Sequence, residues 1–433
     1  MKKTSNNKND NAKEIVYDQI ILADGIRTNF DSEKTGLNNN MMILGPPGSG
    51  KSLSITEPQI IQSYNNSLVV TMTKRKIADK YANLLRSRGY VVGILDLTRP
   101  ESSTVGFDPM SYVYEHSDIV NIATQIVGIA NKSNLSRDPY WDETAISMIS
   151  AEMSALIESW AYRQNTDKKE TTPLPTLENV LELHRQLKFD GVDSSGFTTS
   201  TLDHLFEDLQ NQNANSYAAS CWSSVKGLTA KTVSCVLSTV NVGYAQMFTP
   251  KLQKIATLPS VDFRTFGERK TALFIITSPV NKSSQSFANM VYSLMFKELF
   301  EFAEECEDYR LPVPIHIICD DFATGAKIPQ FADYISMLRA AGISFSIMIQ
   351  SETQLESMYG YADSVTIKNN CDRTVYFGGI DYNTCMNIAR RMNVPVNEIQ
   401  NMPLGKVIVM ERGKKPLIAD RYPTLSDPEY LSL

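Results

Sequence analysis

Gly45-Pro46-Pro47-Gly48-Ser49-Gly50-Lys51-Ser52 follows directly on the apolar run Met41-Met42-Ile43-Leu44. These eight residues have the spacing GxxxxGK[ST], a glycine-rich turn that leads from a buried strand into a helix. A turn of this kind gathers unpaired backbone N–H groups into a concavity, and those are the donors an anion needs. Gly45 and Gly50 let the backbone approach phosphate oxygens, with Pro46, Pro47, Gly48 and Ser49 completing the loop between them. Lys51 is placed to reach the β- and γ-phosphates, and the Ser52 hydroxyl to hold Mg²⁺. A chance glycine-rich turn would not also have the strand before it and the helix after it. The stretch therefore predicts a nucleoside-triphosphate site, with Mg²⁺ held at Ser52.

The surrounding chain bounds the protein that carries this loop. Its 433 residues are enough for two or three cores at roughly 100–200 residues each. A hydrophobic fraction of 42% with 21% charged residues describes a soluble globular protein. The formal net charge of -6 excludes an overall basic field, so any DNA contact must come from local basic patches or a lined pore. Six cysteines without a CxxC pair and four scattered histidines argue against zinc and for reduced thiols in a cytosolic protein. No run of ~18 apolar residues marks a membrane span. Residues 1–13 are rich in Lys and Asn, lack the apolar core of a signal peptide, and are expected to form a disordered tail.

Short, mostly continuous apolar runs recur at Ile15–Leu22, Met41–Leu44, Ser67–Thr71, Tyr90–Leu95, Ala272–Thr277, Ile315–Cys319, Ser344–Ile349, Arg373–Phe377 and Lys406–Glu411. Strands buried on both faces read this way, and with helical stretches between them they predict an α/β fold with a mostly parallel central sheet. The β signal stops between about Met110 and Leu258. There Trp141, Ala145, Met148, Ile149, Met153, Leu156 and Trp160 recur at helical spacing as a core stripe, with Asp138-Pro139 as an N-cap and first helical residue. The expected organisation is a nucleotide-binding domain made of residues 14–110 and 259–433, interrupted by an all-α domain at 111–258.

The second half of an ATP site should be a strand that delivers a carboxylate at its C-terminal edge, where ligands of open α/β sheets bind. Ile315–Cys319 followed by Asp320-Asp321 has that form: Asp320 would hold Mg²⁺ through water, and Asp321 would polarise the attacking water. Gln350, after the next buried strand, reads equally as a γ-phosphate sensor and as a strand-end cap. Ile328–Gly342 reads as a helix whose apolar face is Ile328, Phe331, Ile335 and Leu338, and Arg339 sits beside that face in the final turn before Gly342. By position alone it complements a helix dipole; the sharper reading is an arginine finger. Lys74-Arg75-Lys76 reads as a solvated loop that could face phosphate, and Arg390-Arg391 as surface.

Together these motifs resemble the coupling proteins of type IV secretion, the TraG-like ATPases of bacterial conjugation. The resemblance runs from about Gly36 to Gly413. It rests on Gly45–Ser52 with Pro58, on Asp138-Pro139-Tyr140-Trp141, on Asp320-Asp321-Phe322, and above all on Ile328–Ile343 continuing through Ile349-Gln350-Ser351-Glu352-Thr353-Gln354-Leu355-Glu356. It closes with Asn369-Asn370-Cys371 and Tyr376-Phe377-Gly378. It implies a RecA-like P-loop motor with an all-α domain that recognises the relaxosome, assembled as a homo-hexamer around single-stranded DNA. ATP hydrolysis would drive relaxase-bound DNA toward the secretion channel components. It also places Arg339 on the family's arginine finger and Gln350 on its sensor glutamine.

The chain departs from the family in three places. Relatives usually carry N-terminal transmembrane helices and this sequence shows none. That leaves two readings: an anchor cut away, or a soluble form tethered by a membrane-anchoring partner. Either way a cytoplasmic chain, peripheral at the inner face of the cell membrane, is expected. The usual Asp-Glu pair is Asp320-Asp321, one methylene shorter. Where relatives read Asp-Pro-Lys, this chain has Met72-Thr73-Lys74. Besides the motor, two other functions stay open: a nucleotide-switched docking protein for protein cargo, and a double-stranded DNA translocase of the FtsK/HerA group.

Overall fold

The computed structural model describes residues 18–130, 139–166, 173–194, 196–278, 280–320, 322 and 327–433. The expected N-terminal tail, Asp138 and Asp321 lie outside the described residues. The described residues include thirteen strands: β1 (Gln19–Ala23), β2 (Ile26–Asn29), β3 (Met41–Leu44), β4 (Ser67–Met72), β5 (Val91–Asp96), β6 (Phe189–Val192), β7 (Thr198–Ser200), β8 (Thr271–Ile276), β9 (Ile315–Cys319), β10 (Ile343–Ile349), β11 (Arg373–Tyr376), β12 (Lys406–Glu411) and β13 (Leu417–Asp420).

Nine of these form one sheet in the order β13-β12-β11-β3-β10-β9-β4-β8-β5. Seven strands, from β11 across to β5, run parallel, and β12 and β13 close one edge antiparallel. The apolar runs explain the layering. In β3, Met42 and Leu44 enter the core on one face while Met41 and Ile43 enter the core on the other, so both faces need cover. The helix Arg75–Ser87 supplies cover through Ala78, Tyr81, Ala82 and Leu85. On the opposite face lies the long helix Lys282–Glu305, with Phe287, Val291, Leu294 and Phe296 buried.

The chain leaves the sheet after β5 and returns at β8. The outgoing and returning segments meet as an isolated parallel bridge between Gly106 and Ser260. Gly106 N–H donates to Pro259 C=O at 2.7 Å, and Val261 N–H to Gly106 C=O at 3.1 Å. The approach is close enough that a Cβ on Gly106 would lie 2.3 Å from the Leu258 carbonyl oxygen.

Between the crossings the chain is predominantly helical. The helix Pro139–Thr166 buries Ala145, Met148, Ile149 and Met153 among the helices His116–Ala130, Tyr217–Lys226 and Ala230–Met247. Its stripe is core, as the spacing predicts. A two-stranded antiparallel ribbon, β6 with β7, also lies in this region. β6 is largely exposed, so it lacks the apolar alternation that would have marked it. β1 likewise departs from expectation. It pairs antiparallel with β2 in a separate two-stranded sheet.

Two buried polar contacts hold the helical region. His184 Nδ1 lies 2.7 Å from Glu152, which also accepts from Tyr244 at 2.9 Å. Lys297 meets the buried Asp118 at 2.7 Å, joining the helix His116–Ala130 to Lys282–Glu305. No described helix is long and apolar enough to cross a membrane.

Candidate functional site

β3 ends in the middle of the sheet, and the phosphate loop leaves from its C-terminal edge. Gly45 N–H donates to Ile349 C=O of β10 at 3.2 Å, while Leu44 C=O accepts from Phe377 N–H at 2.7 Å on the β11 side. The loop therefore emerges between two strand ends. Its glycines are required by geometry. Gly48 and Gly50 have φ of 77° and 93°, a region that side chains rarely adopt. A Cβ on Gly45 would stand 2.7 Å from Phe377 Cβ and 2.9 Å from Ser49 Oγ.

The helix after the loop starts with a widened turn. Ser52–Thr56 has π-helical hydrogen bonding, with Glu57 N–H bonded to Ser52 C=O, before the α-helix Glu57–Ile61 begins. Pro58 explains it: proline has no N–H for the carbonyl four residues back and its ring crowds that carbonyl. Widened turns of this sort concentrate at functional sites.

Lys51 curls over its own loop. Its ammonium donates to Gly45 C=O at 2.5 Å and to Pro46 C=O at 3.1 Å, which keeps the charge inside the concavity. Ser52 Oγ donates to Asp320 Oδ2 at 2.6 Å. Asp320 follows β9, and its N–H bonds to Thr71 C=O of β4 at 3.1 Å. Two residues 268 positions apart in sequence thus meet at one sheet edge because both follow parallel strands. Ser49 Oγ is buried with no hydrogen-bond partner among the described residues. The loop offers a left-handed backbone, a lysine, a hydroxyl touching a carboxylate, and an unsatisfied buried hydroxyl. That donor set suits a phosphate chain with its magnesium.

Burial keeps two groups of β9 uncharged. Burial pushes the Cys319 thiol up to about 12 and holds His316 neutral, down to about 3. His316 is bracketed by Ser344 Oγ at 2.8 Å and Ser346 Oγ at 2.9 Å. Neither group is disposed to act as a base.

The other expected site residues divide. Gln350 stands at the same edge, exposed, at the end of β10. The helix cap belongs to Ser351, whose Oγ accepts from Gln354 N–H at 3.1 Å. Arg339 is elsewhere. The helix Phe331–Met337 ends before it, with Phe331, Ile335 and Leu338 fully buried, and Arg339 lies exposed in the following turn. That turn leads into the N-terminal end of β10, whereas the phosphate loop is at the C-terminal end. Seven strand residues separate them by on the order of 20 Å. Of the basic trio, Arg75 is engaged by Asp96 at 2.9 Å and Asp79 at 2.8 Å, and Lys74 precedes the helix as its N-cap residue.

Sequence reasoning missed the C-terminal flank. After β13, Thr424 Oγ1 donates to Leu53 C=O in the loop's own helix, and Arg421 lies over Gly50. β13 is a run of only four residues, Leu417-Ile418-Ala419-Asp420, mostly exposed, and the turn at residues 421–427 has no periodic pattern to mark it.

A family model described as "Type IV secretory system Conjugative DNA transfer" matches residues 2–392. No curated protein sequence matches significantly. Among solved structures, the bacterial conjugative coupling protein TrwBdeltaN70 in its unbound form is similar at a TM-score of 0.60 and 16% identity. The match covers 93% of this chain and 87% of that one. TrwB in complex with ADP and Mg²⁺ gives 0.60 and 15%, over 92% and 88%. VirB4 of Thermoanaerobacter pseudethanolicus gives 0.53 and 13%, over 96% and 98%. At these identities the likeness establishes the fold alone, the RecA-like α/β fold.

Proposed function

Since the chain belongs to the type IV secretory system conjugative DNA transfer family, we propose that it is an ATP-driven motor that moves single-stranded DNA. The observation that carries this is the 2.6 Å contact of Ser52 with Asp320 beside the phosphate loop. It joins the two halves of a magnesium–triphosphate site. In this reading the backbone of Gly45–Ser52 cradles the phosphates and Lys51 turns from its own carbonyls to the β- and γ-oxygens. Ser52 and Asp320 hold Mg²⁺, which offsets the charge of the phosphate chain. Gln350 faces the γ-phosphate from the end of β10, and Asp321 polarises the attacking water.

Arg339 cannot serve the same subunit's site from the far end of β10. We assign it to a neighbouring subunit's γ-phosphate, which calls for a ring, and a homo-hexamer is the arrangement we propose. The segment 111–258 is proposed as a separate recognition domain for relaxase and its DNA, handing cargo to the secretion channel, with a membrane partner holding the assembly at the channel.

The test is ATP hydrolysis with and without single-stranded DNA, for the wild type and Lys51→Ala. Hydrolysis stimulated by the DNA and abolished in the variant is expected. Tight ATP binding without turnover, together with capture of relaxase, would replace the motor by a nucleotide-switched docking protein. Equal activity in both proteins would discard the site.

A further inference from the structure

The phosphate loop is flanked by a segment from the far end of the chain. β13 ends at Asp420, and Arg421 N–H is held by Gly405 C=O at 2.9 Å. Three residues on, the buried Thr424 donates its hydroxyl to Leu53 C=O, the residue after Ser52. Tyr422, between them, is buried and donates to Asp427 Oδ2 at 2.5 Å. Residues 421–427 are thus tied to Gly405 at Arg421 and to the phosphate-loop helix at Thr424.

This anchoring aims one cation at the loop. A Cβ built on Gly50 would lie 2.9 Å from Arg421 Nη1, 3.8 Å from Cζ and 3.9 Å from Cδ. The guanidinium therefore lies over the glycine that precedes Lys51. Its side chain makes no hydrogen bond or ion pair among the described residues, although carboxylates elsewhere engage other arginines (Arg75, Arg88, Arg412). An exposed arginine held beside an anion-binding backbone, with no carboxylate of its own, has donors left for a phosphate.

We infer that Arg421 is a phosphate-binding residue of the same subunit's nucleotide site, contributed by the C-terminal segment. This rests on the nucleotide reading of the loop and extends it. Lys51 and the loop backbone grip the phosphate chain from one side, and Arg421 closes over it from the Gly50 side. Because Thr424 ties the same segment to the helix after the loop, nucleotide binding also fixes residues 421–427 in place.

The experiment measures affinity for ATP, ADP, AMP and GTP by titration calorimetry on wild type, Arg421→Ala, Arg421→Lys and Lys51→Ala. Removing one charge-assisted hydrogen bond to phosphate predicts roughly a 10-fold or greater fall in ATP and ADP affinity for Arg421→Ala. AMP affinity should fall least, GTP should fall as ATP does, and Arg421→Lys should recover part of the loss. The melting temperature of the nucleotide-free variant should equal wild type, since the side chain makes no hydrogen bond or ion pair among the described residues. Unchanged ATP affinity in Arg421→Ala, with wild-type binding intact, would overturn the assignment. So would a loss confined to ATP with GTP unaffected, which would place the guanidinium on the base. A wild type that binds no nucleotide would instead remove the underlying site.

Discussion

At the scale of single residues, the loop tolerates almost no change, and the reasons differ from position to position. Gly48 and Gly50 are there for φ, Gly45 for space. A methyl on Gly45 would have to displace Phe377 and Ser49 together. Overpacking of that kind costs about 1–3 kcal/mol. Gly45→Ala should therefore lower the melting temperature and weaken ATP binding at least tenfold, read by thermal unfolding and by titration. Binding at wild-type strength would show that the loop is not packed between β10 and β11 as described.

Much of this scale is legible in the sequence. GxxxxGKS names its own residues, and Asp320 stands out because a buried strand must end before a carboxylate can face solvent. Arg421 is not legible. Its role depends on a turn after an exposed edge strand, and no local pattern announces where such a turn will come to rest.

Secondary elements explain why those residues meet. Parallel strands in one sheet place all their C-terminal ends together, so β3, β9 and β10 deliver Lys51, Asp320 and Gln350 to one edge without any further instruction. Strands are readable where β3, β9 and β12 carry buried, mainly apolar runs. β6 lacks such a run, β13 is only four residues long, and the true end of the helix before Arg339 falls in an exposed turn that no hydrophobic pattern marks.

The crossing into the helical segment carries a testable electrostatic consequence. Asp108 is buried beside the Gly106–Ser260 bridge, and its carboxyl accepts from Met110 N–H at 2.9 Å and Leu177 N–H at 3.0 Å. Burial nonetheless dominates and pushes it up to about 6. Between the unfolded value of about 4 and that value, the folded chain binds the proton more tightly than the unfolded one. Its contribution to stability therefore falls as pH rises through that window and is level above it. Denaturant midpoints at pH 4.5 and 7 should differ in wild type, and the difference should shrink in Asp108→Asn. An identical pH slope in the two proteins would rule out Asp108 as its source.

For the whole molecule, the sheet holds apart two sets of residues that the proposed reaction needs together. The nucleotide edge carries Lys51 and Asp320, and the opposite edge carries Arg339. A ring in which the opposite edge of one subunit faces the nucleotide edge of the next would unite them. Arg339→Ala should then keep ATP binding and lose turnover, and mixing it with Lys51→Ala subunits should restore part of the activity, since some interfaces would combine an intact Lys51 with an intact Arg339. Mixed assemblies with no recovered hydrolysis would contradict a shared site. This level is the least legible from sequence. Composition gives a net charge of -6, which says nothing of subunit geometry, and the placement of Arg339 opposite the loop emerges only from the course of β10.

The most direct measurement is the affinity for ATP with and without Mg²⁺, determined by calorimetry on wild type, Lys51→Ala and Asp320→Asn. Magnesium should tighten wild-type binding, Lys51→Ala should lose binding with or without the metal, and Asp320→Asn should bind ATP but lose the gain from Mg²⁺. Wild-type affinity and magnesium dependence retained in both variants would contradict the claim that this sheet edge is the site.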